Sequence, residues 1–227
     1  MSTWIDLSGP LYNGMWSYNT LAGPGYQLPE FKMWRTTAVS DTGWESFGYE
    51  MSSLSGTYLE TAAHLIEGAL NLDDLPCDQF IKPAVVCHLP RKGAREVIRR
   101  AELETHCPPV QAGDALLIEC GWGGQWRSPR FVLDGPAFHP DTLPWLLEQP
   151  FALLGVDIPC IQASYPLPDG AHYEGNILLP VFRKGVLLLA PLVNLDTVHS
   201  PRGELIALPL RIEGVSGAPC RALVRAD

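Results

Sequence analysis

The apolar runs of this chain have the length of β-strands, and this constrains its fold more than any other feature. The longest run, GVLLLAPLV from Gly185 to Val193, is broken by a proline and is long enough only for a buried strand. Shorter runs bounded by turn residues lie at Pro83 to Leu89, Asp114 to Cys120 and Phe151 to Asp157. A β-rich tail follows from Leu205 to Val224. We therefore predict a sheet of many strands.

Helices are predicted to be few and short. The Ala-Leu-Glu content of Leu59 to Leu70 fits a short helix. Arg95 to Leu103 reads as a charged, exposed helix, and Asp141 to Gln149 as another. Strands and short helices alternate without the long βαβ spacing of a doubly wound fold. The predicted fold class is a mixed, β-rich α/β domain.

Length and composition favour one globular domain over residues 1–227, with residues 1–50 as an extended aromatic arm and 51–227 as the core. The net charge of −9 argues against nucleic acid or an anionic membrane as a partner. No apolar stretch approaches membrane-spanning length, so we expect a cytoplasmic protein. The six cysteines stand singly, without a CxxC pair, and are predicted to be buried free thiols.

The stretch SLSGTYLETAAHLIEG, from Ser53 to Gly68, brings hydroxyl groups, a carboxylate and a histidine close together in the sequence. Thr57 and Glu60 have the spacing of a capping box, which would account for both without any function. On a helix, Glu60 and His64 would share one face, and a carboxylate beside an imidazole orients it and raises its pKa, as in a general base. The alternative is a surface pair contributing about 0.3 kcal/mol. Spacing alone leaves both interpretations open.

Several segments, in order, resemble the cyclase superfamily that contains bacterial kynurenine formamidase and isatin hydrolase. The matching segments are IDLSGPLYNGMWSY, LIEGALNLDDLPCDQFIKPAVVCHL, AGDALLIECGW, FHPDTLPWLLEQPFALLGVDIPCI and GVLLLAPLVNLDTV. The resemblance covers nearly the whole chain. It implies the fold of that family, a central sheet or barrel-like core with few short helices, and a homodimer.

The metal-binding signature of the family, His-x-Gly-Thr-His-x-Asp-x-Pro-x-His, is only partly kept. Leu54, Tyr58 and Glu60 stand where the signature has its first two histidines and its aspartate. Leucine cannot ligate a metal, tyrosine is a poor substitute for imidazole, and a catalytic zinc normally needs three well-placed ligands. We therefore expect no cofactor. The alternative is one Zn or Mn ion held by Glu60, His64 and relocated ligands, for which His172 and Glu174 are candidates.

Without a metal, a phenol, a carboxylate and an imidazole suit proton transfer. In this hypothesis Glu60 and His64 are the acid–base pair, and Tyr58 donates to a developing oxyanion. The predicted function is a metal-independent cyclase, isomerase or dehydratase acting on a small carbonyl compound, cyclic or polyene, in a biosynthetic pathway. One alternative is a metal-dependent amide or lactone hydrolase, and another is a catalytically silent ligand-binding module.

The predicted substrate contacts combine aromatic and polar side chains. In the family, the segment around Trp16 and Tyr18 reaches the active site, in some members across a dimer interface. Flat rings suit a cyclic or polyene substrate, although the same tryptophans could pack the core. Cys120, at a strand end, is a further candidate as a thiol nucleophile. The residues predicted to bind substrate are Trp16, Tyr18, Thr57, Trp122, His172 and Glu174.

Overall fold

The structure is a computed structural model and describes residues 4–226 apart from 22, 24 and 26. Its strands are β1 (Trp4–Asp6), β2 (Lys32–Thr37), β3 (Ser46–Glu50), β4 (Tyr58–Glu60), β5 (Ile81–His88), β6 (Val97–Ile98), β7 (Ala115–Glu119), β8 (Ala137–Phe138), β9 (Leu153–Val156), β10 (Leu187–Ala190), β11 (Arg202–Pro209) and β12 (Gly217–Ala226). Its α-helices are α1 (Val39–Thr42), α2 (Arg100–His106), α3 (Thr142–Glu148) and α4 (Leu178–Phe182). Single 3-10 turns cover Tyr18–Thr20, Ala62–His64, Leu72–Asp74, Cys77–Phe80, Trp122–Gln125 and Leu195–Thr197.

Seven strands close into a barrel in the order β12-β11-β5-β7-β9-β10-β4, because β4 pairs with both β10 and β12. The strands β5, β7, β9 and β10 are parallel to one another, and the remaining pairs in the ring are antiparallel. β1 adds to β12 outside the ring. Closure leaves none of these seven strands with an unpaired edge. The predicted mixed, β-rich α/β class is confirmed.

The central parallel strands are buried on both faces, which is why the sequence reads as continuous apolar runs there. In β5, Val85 and Cys87 pack into one hydrophobic cluster while Ala84 and Val86 pack into another. This alternation is the period-two geometry of a strand. The predicted strands at Pro83, Asp114 and Phe151 correspond to β5, β7 and β9.

The predicted helix over Leu59 to Leu70 is wrong. Tyr58–Glu60 is a strand, followed by a single 3-10 turn whose cap, Thr61, accepts a hydrogen bond from the Ala63 amide at 3.3 Å. Strand pairing on both sides of β4 overrides the helix propensity of the segment. The charged helix begins at Arg100, later than predicted, and the helix predicted over Asp141 to Gln149 is confirmed as α3.

Two cysteines are joined rather than free, which corrects the expectation of six thiols. Cys87 at the end of β5 and Cys107 just after α2 form a disulfide, with Cα atoms 4.6 Å apart. Their separation of 20 residues matches no sequence motif, and only the packing of α2 against β5 brings them together. Within the described ranges, no helix has both the length and the apolar character needed to span a membrane.

Candidate active site on strand β4

Strand β4 presents Tyr58 and Glu60 on one face and Leu59 on the other. Leu59 is fully buried in the hydrophobic cluster that also contains Leu117 and Leu189. The turn before the strand requires Gly56, whose φ of +69° is a left-handed conformation that favours glycine. Alternation along the strand therefore places the two polar side chains side by side.

Glu60 is a buried carboxyl group, with only 2% of its surface exposed. Burial raises the pKa of Glu60 to about 8, because removal from water disfavours the charged form. The group is therefore largely protonated at neutral pH. Its Oε1 atom makes no hydrogen bond to any described residue. A buried polar atom without a partner costs about 1–3 kcal/mol, and such atoms are concentrated where ligands bind.

His64 contacts Glu60 as their spacing predicts, although through a strand and a 3-10 turn rather than along a helix. Its Nδ1 atom lies 3.0 Å from Glu60 Oε1. The contact has the distance of an ion pair but not the alignment of a hydrogen bond, so Oε1 has no hydrogen-bond partner among the described residues. Burial lowers the pKa of His64, which corrects the expectation that its carboxylate neighbour raises it. The pair is thus uncharged overall and holds one acidic proton.

Two tyrosines meet beside this pair. The Oη atoms of Tyr18 and Tyr58 are 3.2 Å apart, and Tyr18 Oη donates to the Pro159 carbonyl at 2.8 Å. Their rings are edge to face, with centroids 6.1 Å apart. Burial raises the pKa of both phenols well above the usual value, so both are protonated across the neutral range. The arm residue Tyr18 therefore reaches β4 within the same chain.

The buried indole of Trp16 extends the cluster away from β4. It stacks on Phe131 at a centroid distance of 4.9 Å and lies edge to face with Trp126 and Tyr18. Its Nε1 atom finds no acceptor among the described residues. A bound molecule that accepted from this N–H would satisfy it.

Thr57 and Trp122, also predicted to bind substrate, have their hydrogen-bonding groups engaged within the fold. Thr57 Oγ1 donates to the Pro191 carbonyl at 2.7 Å and accepts from the Gly9 amide at 3.1 Å. Trp122 is buried, and its Nε1 donates to the Phe131 carbonyl at 3.0 Å. In this structure both residues hold the framework together.

His172 and Glu174 are exposed, and neither side chain forms a hydrogen bond or ion pair with another part of the described chain. Among the described residues, no hydrogen bond or ion pair joins either side chain to Tyr58 or Glu60. Cys120 is buried, and its thiol donates to Asp157 Oδ1 at 3.3 Å. Burial and Asp157 hold the pKa of Cys120 far above its usual value, which makes it a poor nucleophile.

Cys160, next to Pro159, is a residue of this cluster that sequence reasoning does not find. Burial, with the neighbouring Glu60 as a second cause, raises the pKa of its thiol to about 12. It lies 100 positions from Glu60, so no local motif points to it. One cavity of the described structure, of about 410 Å³, is lined by residues outside this cluster, among them Leu11, Phe31, Met51 and Leu210.

The side chains on β4 do not fit a catalytic metal ion. Across the described ranges, no three His, Cys, Asp or Glu side chains converge in a way that could hold one. Leu54 offers no donor atom, and the Tyr58 hydroxyl is engaged with Tyr18. A divalent ion here would lack the three well-placed ligands of a catalytic centre.

A closed seven-stranded barrel with ionisable groups buried along β4 places the protein among the cyclase-like α/β folds. Residues 5–163 match the family model described as a putative cyclase, and the chain belongs to this family.

Similar proteins agree with that assignment. A kynurenine formamidase of Bacillus cereus is 28% identical over 228 residues, covering 99% of this chain and 98% of that protein. The kynurenine formamidase of Geobacillus thermodenitrificans is 31% identical over 180 residues, covering 77% of each chain. Isatin hydrolase A from Ralstonia solanacearum has the same fold, with a TM-score of 0.82 at 24% identity over 99% of this chain and 92% of that one. The kynurenine formamidases are enzymes and support the assignment of this chain as an enzyme, whereas the isatin hydrolase, at 24% identity, shows the shared fold alone.

Proposed function

We propose that this protein hydrolyses an amide bond in a small carbonyl compound through a metal-free acid–base pair formed by Glu60 and His64. The observation that carries the proposal is the buried Glu60 carboxyl, whose Oε1 has no hydrogen-bond partner in the described part of the chain and lies 3.0 Å from an imidazole nitrogen. Strongly perturbed titratable groups of this kind are concentrated at functional sites.

The two groups divide the proton transfers between them. His64, kept neutral by burial, takes a proton from the water that attacks the carbonyl carbon. Glu60, kept protonated by burial, gives its proton to the departing nitrogen as the C–N bond breaks. Loss of the imidazolium proton and return of a proton to the Glu60 carboxylate, whose Oε1 lies 3.0 Å from His64 Nδ1, then restore the starting state. The sum of these steps is the addition of one water across the C–N bond.

The aromatic residues beside the pair are proposed to hold the substrate. Trp16 offers its N–H, which has no acceptor among the described residues, to a carbonyl oxygen of the bound molecule. Tyr18 and Tyr58 add two uncharged polar groups, and the rings of Trp16 and Tyr18 supply a flat wall. The absence of a fixed charge on these described side chains suits a neutral substrate.

Ring closure is the second candidate function, because Glu60 and His64 can transfer protons in the reverse of the hydrolytic direction. Leu54 and Tyr58 stand where the family signature has metal-binding histidines. This difference favours ring closure, since a metal-bound water is the usual route to amide hydrolysis. The names of the relatives favour hydrolysis. Product analysis therefore has to include both directions.

A second copy of the chain is the proposed protein partner. The β2–β3 hairpin exposes several large apolar side chains together, which is rare in a monomeric protein. Trp34 is 51%, Trp44 57% and Tyr49 61% exposed. Sedimentation of the native protein beside Trp34→Lys tests this. We expect a native dimer that weakens in the variant, and a native monomer would contradict it.

The test of the proposed function is hydrolysis of isatin and of the formamide of kynurenine by protein stripped with a chelator. We expect both the untreated and the stripped protein to release the ring-opened or deformylated product at the same rate, within about twofold. A loss of activity that added zinc or manganese restores would overturn the metal-free mechanism. Ligand-induced thermal stabilisation without any product would indicate the binding module instead.

A further inference from the structure

The hydrogen bonds around Tyr18 determine which way the Tyr58 hydroxyl points. Tyr18 has one hydroxyl proton and donates it to the Pro159 carbonyl, which can only accept. The Tyr18 oxygen can therefore only accept in its second contact, the one with Tyr58 at 3.2 Å. It follows that Tyr58 is the donor in this contact and has no further proton to give.

The position of Tyr18 is itself fixed by the neighbouring backbone. Asn19 donates to the Leu28 carbonyl at 2.8 Å and accepts from the Leu28 amide at 2.7 Å, which ties the 3-10 turn of Tyr18 to the returning arm. Tyr18 is thus an anchored acceptor, and the direction of the Tyr58 proton is a property of the fold.

The remaining lone pair of Tyr58 has no donor among the hydrogen-bonding partners that the structure describes. Tyr58 Oη engages Tyr18 alone, and its ring lies on the same face of β4 as Glu60. At the active site, Tyr58 consequently offers an acceptor rather than the oxyanion donor predicted from the sequence. A carbonyl oxygen gains nothing from such an atom, whereas an N–H or O–H does.

We propose that Tyr18 is a positioning residue that makes Tyr58 a hydrogen-bond acceptor for the N–H of the substrate amide. This inference rests on the proposed amide hydrolysis and narrows its substrate class to amides that carry an N–H at the scissile nitrogen. Tertiary amides and lactones lack this donor and bind with the Tyr58 oxygen unpaired. A site built around a specific hydrogen bond discriminates strongly against an analogue that lacks it.

Isatin and N-methylisatin form a matched pair of probes, because they share their carbonyls and differ at the ring nitrogen. We expect the native protein to favour isatin in kcat/KM by about tenfold or more. The preference should fall to within about threefold in Tyr58→Phe and in Tyr18→Phe, although the Tyr18 hydroxyl is engaged with Pro159 and Tyr58 and makes no hydrogen bond to the substrate N–H. Discrimination by methyl bulk alone would survive in both variants and would overturn the proposal.

Tyr173→Phe is the matched control for Tyr18→Phe. Tyr173 also donates to a backbone carbonyl, that of Phe138 at 2.6 Å, and accepts one hydrogen bond, from the Ala163 amide at 3.1 Å. Among the described residues, Tyr173 forms no hydrogen bond with Tyr58. Its substitution should leave the isatin preference unchanged, and a loss equal to that in Tyr18→Phe would reduce Tyr18 to a structural role.

Nuclear magnetic resonance of protein labelled with ¹³C at the tyrosine Cζ atoms tests the geometry without any turnover. The Tyr58 hydroxyl proton should show an Overhauser contact with the Tyr18 ring, and the Tyr58 signal should move in Tyr18→Phe but not in Tyr173→Phe. A Tyr58 hydroxyl proton in contact with Glu60 instead would overturn the proposal. If isatin is not hydrolysed at all, the amide hydrolysis fails on that substrate, and this spectrum alone decides the orientation of Tyr58.

Discussion

Two glutamate–histidine pairs in the described part of the chain are nearly identical in distance and burial. Glu60 Oε1 lies 3.0 Å from His64 Nδ1, and Glu119 Oε2 lies 3.1 Å from His88 Nδ1. Both carboxyl groups are buried, and both imidazoles are rather more than a third exposed. Residue type and separation alone would assign the two pairs the same role.

The hydrogen bonding of the second imidazole nitrogen distinguishes the His88–Glu119 pair from the His64–Glu60 pair. His88 Nε2 bonds the Val198 carbonyl at 2.9 Å, so both of its nitrogens are engaged and it ties the ends of β5 and β7 to the turn at Leu195–Thr197. His64 has no such second bond in the described hydrogen bonding, and Glu60 Oε1 is unsatisfied. Unfilled hydrogen-bonding capacity, rather than the presence of the pair, distinguishes the candidate catalytic pair from the structural one.

The largest expected difference between the two pairs is in catalysis. Glu60→Gln keeps the shape of the side chain and removes its acidic proton, and we expect kcat for isatin or the kynurenine formamide to fall by about 100-fold or more. Glu119→Gln, the matched change in the other pair, should leave kcat within about threefold. Equal losses in both variants would show that the comparison measures folding rather than chemistry.

For the free energy of unfolding, we expect the larger loss from a substitution in the His88–Glu119 pair. His88→Ala removes two hydrogen bonds and leaves the buried Glu119 carboxyl without its partner, which we expect to lower the free energy of unfolding by about 2 kcal/mol. His64→Ala removes a contact that is not a hydrogen bond and should cost less than about 1 kcal/mol. Urea unfolding at pH 7 measures both. A larger loss for His64→Ala would contradict the division of roles.

The pH dependence of turnover sharpens the comparison further. The rate requires Glu60 in its acid form, and because burial raises the pKa of Glu60 to about 8, kcat should fall about tenfold per pH unit above that value. The rate also requires neutral His64, whose pKa burial lowers, so the acid limb should lie below pH 6.5. A profile that rises through pH 8 would mean that Glu60 acts as a base.

Much of the barrel can be predicted from the sequence, because buried parallel strands are apolar without interruption, as β7 shows. The segment after Tyr58 resists prediction because its composition suits a helix, while pairing with β10 and β12 decides its structure. The contact between Glu60 and His64 is predictable because four positions bring two side chains together in more than one local conformation. No local signal joins Tyr18 to Tyr58, 40 positions apart, or indicates that Trp16 lacks an acceptor among the described residues, since both follow from the path of the arm.

The most direct test of the account is the protonation state of Glu60 itself. Infrared difference spectroscopy of protein labelled with ¹³C-glutamate detects the carbonyl stretch of a protonated carboxyl group. We predict a protonated glutamate at pH 7 that titrates near pH 8, disappears in Glu60→Gln and persists in Glu119→Gln. A spectrum without this band at pH 7 would mean that Glu60 is ionised there, and the proposed acid–base pair would be wrong.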